Sequence, residues 1–549
     1  MQPEVHTPLS RSSQAFPSIQ KSALDNHSLY PATPHMSSSE SGSENSEVHY
    51  PPGSFHDRFS FSSESRPPTP VNVNAPINPV FEQRTRRKVD RRLIPVLGVL
   101  YAVAFIDATN IFVARREGAD RDFNLLIDHR SYLVSFVFFL PTIFLQFPLN
   151  LALRRVGTAL WLGTTTFLLG ALQIAIGFVN GWGQFLGIRI VLGILEVSIF
   201  DFTSHCVYLI SSWYKRSEIQ LRITLFYSVS VLVGSFGNIL ALGLSKVHTK
   251  GVHGWRWIFA LEGLITILLS FYGFSAVLPF PDRKHSAHGP FLSHEELQLM
   301  RQRIELDRKD YVPDHLDKAK FTSYLSDVTL WLYALLALCA NIVVYPVPIG
   351  IAATVMTLLS GFASNRAGTL CPVLIFNFLL STAGIGMIGF SDRRSVRFAG
   401  TFLSYSGAQA NVPIILSLQA INVHQHSQRL FTVSLVASFG GVGGILSMLV
   451  FPDSAAPKYA TGVRTVLALQ VAGVVFSVIL MALLRRKNRG IEAMRSGVEC
   501  IRQSSRNIRD IHNGDDEQTR SGTPGPPHRS DRQRSRMCAE RNDRFRYLQ

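Results

Sequence analysis

Arg189 and Glu196 lie inside the stretch Gly183–Arg216, GQFLGIRIVLGILEVSIFDFTSHCVYLISSWYKR. Roughly 28 mostly apolar residues there run into a basic patch, more than the ~20 that a bilayer-spanning helix needs. Seven positions make two helical turns, so the two side chains share one face, about 10 Å apart along the axis. An ionised group at membrane depth is costly, so the pair is expected to face protein or an aqueous cavity. Burial and a neighbouring cation pull a carboxyl's proton affinity in opposite directions. A fixed structural ion pair is the other reading of the same two residues. A second set, Asp107 and Asn110, is three apart on one face of an earlier apolar run. It belongs either to a cavity wall or to a helix end at the outer interface.

The elements that position these residues are apolar runs. The chain has 549 residues, 46% hydrophobic, gathered into separate long segments rather than short periodic ones. That is the pattern of an all-α polytopic membrane protein. Residues 1–80, rich in Ser, Pro and His, read as a disordered cytosolic tail. The block RTRRKVDRR (Arg84–Arg92) then precedes span one, Leu93–Ala114, and argues that this end stays inside. Spans two to six are Ser131–Leu153, Ala159–Val179, the opening stretch, Ile223–Leu244 and Trp257–Leu278, so residues 85–279 form a six-helix half. Residues 280–327 form a connector too short for a soluble catalytic domain. Within it Ser293 and Glu296 fit a capping box ahead of Leu297, Met300 and Ile304, which predicts an amphipathic helix on the inner face.

The second half occupies 328–484. Val328–Ala363 is too long for one span and is interrupted by Pro346, Pro348 and Gly350, so it reads as two minimal spans, 328–345 and 349–363. Leu370–Phe390, Phe398–Leu418, Leu430–Phe451 and Val463–Leu484 complete twelve. Gly234, Gly237 and the run GGVGG at 440–444 are expected to serve close helix packing. Residues 485–549 read as a second disordered cytosolic tail. Six spans, a polar connector and six more spans is the two-halved layout of a transporter with its site between the halves.

Composition excludes other classes. The net charge of +16 sits in the tails and between apolar runs, where cytosolic loops carry it, so nucleic acid is not the expected partner. Five cysteines show no paired spacing, and no disulfide framework is expected. No metal-ligand spacing and no nucleophile elbow is present; His424 and His426 beside Arg429 read as a solvated turn. Neither an enzyme nor a cofactor is expected.

The segments RRKVDRRLIPVLGVLYAVAFIDATNI, FPLNLALRRVG, IRIVLGILEVSIF, VYLISSWYKRSEIQLRI, GWRWIFALEGLIT, SHEEL, WLYALLALCANIVVY and ANVPIILSLQAINVHQHSQR resemble the major facilitator superfamily. Within it the chain is similar to the anion:cation symporter branch and its fungal allantoate/nicotinate permeases, over residues 85–484. The resemblance implies the major facilitator fold and proton-coupled uptake of a small organic anion (a carboxylate, vitamin or ureide) by a monomer in the plasma membrane, both termini cytoplasmic. It implies Glu196 as proton carrier with Arg189 as its partner and Asp107 as a further coupling candidate. Polar residues expected near the substrate are Asn110, Asn341, Asn411 and Gln419. Three departures stand out: Ala108 follows Asp107 where the family has an arginine, Ile421-Asn422 replaces a pair of asparagines, and Tyr345 runs directly into Pro346. At the last of these the family has additional sequence between spans seven and eight. The shortening raises the alternative of a non-transporting remnant or sensor.

Overall fold

The computed structural model describes residues 78–125, 130–200, 202–246, 253–282, 291–308, 318–342, 349–423, 425–451 and 459–517. The N-terminal tail through residue 77, the Tyr345–Pro346 junction, His424 and residues 518–549 lie outside the described residues. The first half holds α1 (Pro79–Ala114), α2 (Arg130–Val156), α3 (Thr158–Gly177), α4 (Trp182–Phe200), α5 (Phe202–Trp213), α6 (Arg216–Ser245) and α7 (Gly254–Ala276). The connector contributes α8 (His294–Arg308) and α9 (Lys318–Leu325). The second half holds α10 (Val328–Asn341), α11 (Gly350–Ala367), α12 (Cys371–Phe390), α13 (Arg394–Asn422), α14 (His426–Val450) and α15 (Ala460–Glu517).

Packing repeats between the halves. In the first, α1 packs on α6, α2 on α4, and α3 on α7. In the second, the counterparts are α10 on α14, α11 on α13, and α12 on α15. The two most extensive seams between the halves, α2 against α14 and α6 against α11, are exchanged by the same correspondence. Twelve spans were expected. Among the described residues, seven helices are long and apolar enough to cross a membrane on their own, or eight if the bent pair α9–α10 is one span. The others are those with inward polar side chains or interruptions. Helix α1 carries Asp107 and Asn110, α4 carries Arg189 and Glu196, and α13 carries Asn411 and Gln419. Apolarity alone undercounts helices that line a polar interior.

Glycine sets the closest approaches, as the sequence led one to expect. A methyl group added at Gly170 would meet Gly263 O at 2.7 Å, and one at Gly263 would meet Gly170 O at 2.6 Å, so α3 and α7 cross backbone to backbone. The GGVGG run of α14 serves two neighbours. Gly440 and Gly443 face Asn341 and Leu338 of α10, whereas Gly441 and Gly444 face Thr142 and Phe139 of α2, in the other half. Between α2 and α3, Gly157 turns the chain at φ 108°, a backbone conformation that costs other residues.

The connector helix has the reciprocal cap read from its sequence: Glu296 N donates to Ser293 Oγ at 3.1 Å and Ser293 N to Glu296 Oε2 at 2.9 Å. Leu297, Met300 and Ile304 are buried as expected, but so is Arg303, which donates to Glu82 of α1 and Glu218 of α6, both at 2.7 Å. Around it, Lys215 meets Glu82 at 3.0 Å, Arg86 meets Glu218 at 2.7 Å, and Lys88 meets Glu296 at 2.7 Å. Arg222 grips Asp90 through two 3.0 Å bonds. The basic block at Arg84–Arg92 is thus part of a belt that ties α8 to the first half.

At the far end of the chain, an unfolded tail was expected from residue 485. Instead α15 carries on unbroken to Glu517, 58 residues in all. No proline interrupts that stretch, and its Arg, Glu, Ile and Met content favours continued helix.

Candidate functional site

Three charged groups named from the sequence meet inside the first half. Arg189 and Glu196 of α4 are each 1% exposed, and Asp107 of α1 is completely buried. Glu196 lies within hydrogen-bonding reach of Asp107, and both carboxyls feel the Arg189 guanidinium. Neither carboxyl has a hydrogen-bond donor among the described residues. Two such carboxyls bond to each other only through a shared proton, so the geometry is that of a proton-binding pair beside a fixed cation. Asn110, one turn beyond Asp107 on α1, is also fully buried, and its amide has no partner among the described residues.

Aromatic rings wall the cation. Phe138 of α2, Phe185 of α4 and Phe259 of α7 lie 5.5, 5.6 and 5.8 Å from the guanidinium carbon of Arg189. Rings at this range hold a cation and exclude water from it. Phe185 stacks on Phe123 at 4.6 Å, Phe123 meets Trp255 edge-on at 5.2 Å, and Trp255 Nε1 donates to Asp122 at 2.8 Å. An aromatic column therefore runs from the cluster to the end of the bundle opposite α8.

The second-half candidates have separate settings. Asn341 is half-buried, donates to Ala337 O at 2.8 Å, and packs against Gly440 of α14. Asn411 and Gln419 of α13 are completely buried, with no hydrogen-bond partner among the described residues. Asn411 is one turn beyond Gly407, whose bare Cα meets Asn377 and Ser381 of α12, and so lies on the α12 side of α13.

Two features escaped sequence reasoning. Glu262 of α7 is 6% exposed, unpartnered among the described residues, and close enough to Asp107 to feel its charge. The signal was present, a lone carboxylate inside an apolar run, but no second charge accompanied it. The other is a contact between the halves: Tyr227 Oη of α6 donates to Gln409 Oε1 of α13 at 2.5 Å, with the Tyr101 ring 6.2 Å from that of Tyr227.

These features coincide with a known pattern. Residues 97–448 match the family model described as Major Facilitator Superfamily. The chain belongs to that superfamily. It is 24% identical over 439 residues to the high-affinity nicotinic acid transporter of Saccharomyces cerevisiae, covering 76% of this chain and 80% of that one. It is 26% identical over 428 residues to the major facilitator-type transporter hxnP of Emericella nidulans, covering 71% and 83%. Among solved structures, the proton:xylose symporter XylE aligns with a TM-score of 0.54 at 13% identity, over 73% of this chain and 96% of that one. The fold is the all-α major facilitator fold, and this superfamily member is a multi-pass membrane transporter rather than an enzyme.

Proposed function

We propose that this transporter couples uptake of a small organic anion to protons. The observation that carries the reading is the buried guanidinium of Arg189 beside the contacting carboxyls of Asp107 and Glu196. With both carboxyls ionised, Arg189 is fully engaged. Protonation of the pair frees its charge for an anionic cargo; loss of those protons on the other side returns Arg189 to the carboxylates and expels the anion. The seams α2–α14 and α6–α11 are the surfaces on which one half would rock against the other. The cargo's class is supported by the relative named for nicotinic acid. The basic belt beneath α8 supports a cytosolic location for that end, with both chain termini on the same side, and the protein acts as a monomer in the plasma membrane.

Uptake of labelled nicotinate, allantoate and pantothenate into proteoliposomes, with acid outside, tests this. Wild-type uptake should rise with external acidity, and Glu196→Gln should flatten that rise. A variant keeping the wild-type pH profile would remove Glu196 from coupling.

One observation favours a second reading, a non-transporting sensor or remnant. Tyr345 runs directly into Pro346 in the sequence, where the resemblance implies additional residues between spans seven and eight. Extending the chain after Tyr345 to family length separates the two. Activity only in the extended protein would establish the remnant.

A further inference from the structure

We infer that Glu262 is a third proton-exchanging carboxyl of the Arg189 cluster, supplied by α7. The inference rests on the reading of Asp107 and Glu196 as the coupling pair. Trp255, Phe259 and Glu262 follow one another at spacings of four and three, so they share a face of α7. The first of these meets Phe123, the second stands 5.8 Å from the Arg189 guanidinium, and Glu262 comes next along the same line. Its two oxygens are buried and find no donor among the described residues, a costly arrangement for a carboxyl with no use for its lone pairs.

The groups that surround it are few. From α1 comes Asp107, whose charge reaches it, while Arg189 of α4 stands on the neighbouring Phe259 ring. Helix α3 offers the uncharged Gln173, bonded to Thr266 one turn beyond Glu262 at 3.2 Å. The helix's own Arg256 is turned elsewhere, donating to Gly177 O at 2.9 Å and Asn180 Oδ1 at 3.2 Å. Asp107 thus links Glu196 and Arg189 on one side with Glu262 on the other, three buried carboxyls with one buried guanidinium among them. A single guanidinium neutralises a single carboxylate, so electroneutrality of the buried cluster calls for two protons rather than the one that the Asp107–Glu196 contact holds. Glu262 provides the second place, and the charge of Asp107 that reaches it couples the two carboxyls across helices.

The infrared C=O stretch of protonated carboxyls reports this directly on the purified protein. Spectra are titrated from acid to alkaline pH for wild type, Glu262→Gln and Glu196→Gln. Glu262→Gln should delete one titrating band and move the pH at which the remaining carboxyl band disappears, because a neighbouring charge has gone. Superimposable titrations of Glu262→Gln and wild type would overturn the inference, as would a deleted band that does not respond to pH. If Glu262→Gln fails to fold, Glu262→Asp should retain the band with a displaced titration; an unmoved titration overturns the inference equally. Nicotinate uptake by the same proteins is the separate arm. Failure of wild type to take up the anion counts against the transport reading, while the infrared titration still decides the role of Glu262.

Discussion

At the residue scale the cluster around Arg189 has a defined energetic asymmetry. Removing the guanidinium strands carboxylates in a dry site, whereas removing one carboxyl leaves other partners. Arg189→Gln should therefore destabilise the protein by about 3–5 kcal/mol, measured by thermal unfolding in detergent, and Glu196→Gln by clearly less. Equal losses would show that the two act as an isolated pair. Arg189 and Glu196 were legible in the sequence because their relation, seven positions on one helix, is local. The meeting with Asp107 was legible only as a list of candidates, since it depends on how α1 and α4 are registered. Glu262 was passed over because a single acidic residue gains its meaning from neighbours on other helices, which no periodicity within GWRWIFALEGLIT reveals.

Elements are governed by close approach and by interruption. A methyl group on Gly443 would stand 2.9 Å from the Leu338 carbonyl, a backbone atom that cannot swing aside. Gly443→Ala should cost about 1–3 kcal/mol of stability by pushing α14 off α10, again read by thermal unfolding. Gly441 meets a side-chain methyl, Thr142 Cγ2 at 3.2 Å, across the seam, and its alanine variant should be milder in stability. The sequence placed these glycines and the Ser293–Glu296 cap correctly because both depend on residue type and short spacing. It was less successful where an element's extent is set by what surrounds it. Helix α15 outruns the last apolar run, since no proline in residues 485–517 stops a helix once started.

For the whole molecule, a two-halved layout was read from six spans, a connector and six more, but which helices pair within each half was not. The belt that fastens the connector was not, because it joins Glu82, Glu218 and Arg303 over great separations in sequence. Its chemistry predicts a pH response. Burial raises the proton affinity of Glu82, but bonds from Lys215 and Arg303 outweigh it and hold the carboxyl below its ordinary value of 4.5. Burial likewise pushes Glu296 up, but the Lys88 bond, the Ser293 N–H and nearby Arg84 outweigh it and hold that carboxyl low as well. A depressed carboxyl contributes its stability above 4.5 and loses it as pH falls through the lower folded-state value. Amide exchange in α8 should stay slow from neutral pH down to 4.5 and accelerate only below it. Acceleration at mildly acidic pH would mean that the belt is not what secures this helix.

Because Arg303 anchors α8 to α1 and α6 alike, the covalent crossing between halves begins only after Arg308. What remains holding one half to the other is noncovalent, and among the described residues includes the two seams, the packing of α5 on α13 and α14, the Tyr227–Gln409 bond and the reach of Arg308 to Ala420 O. A gene cut between Arg308 and Lys318 and expressed as two fragments should therefore yield a complex that copurifies, with the strap riding on the first piece. The peptide link would then be a matter of delivery, bringing two self-contained bodies to the same patch of bilayer.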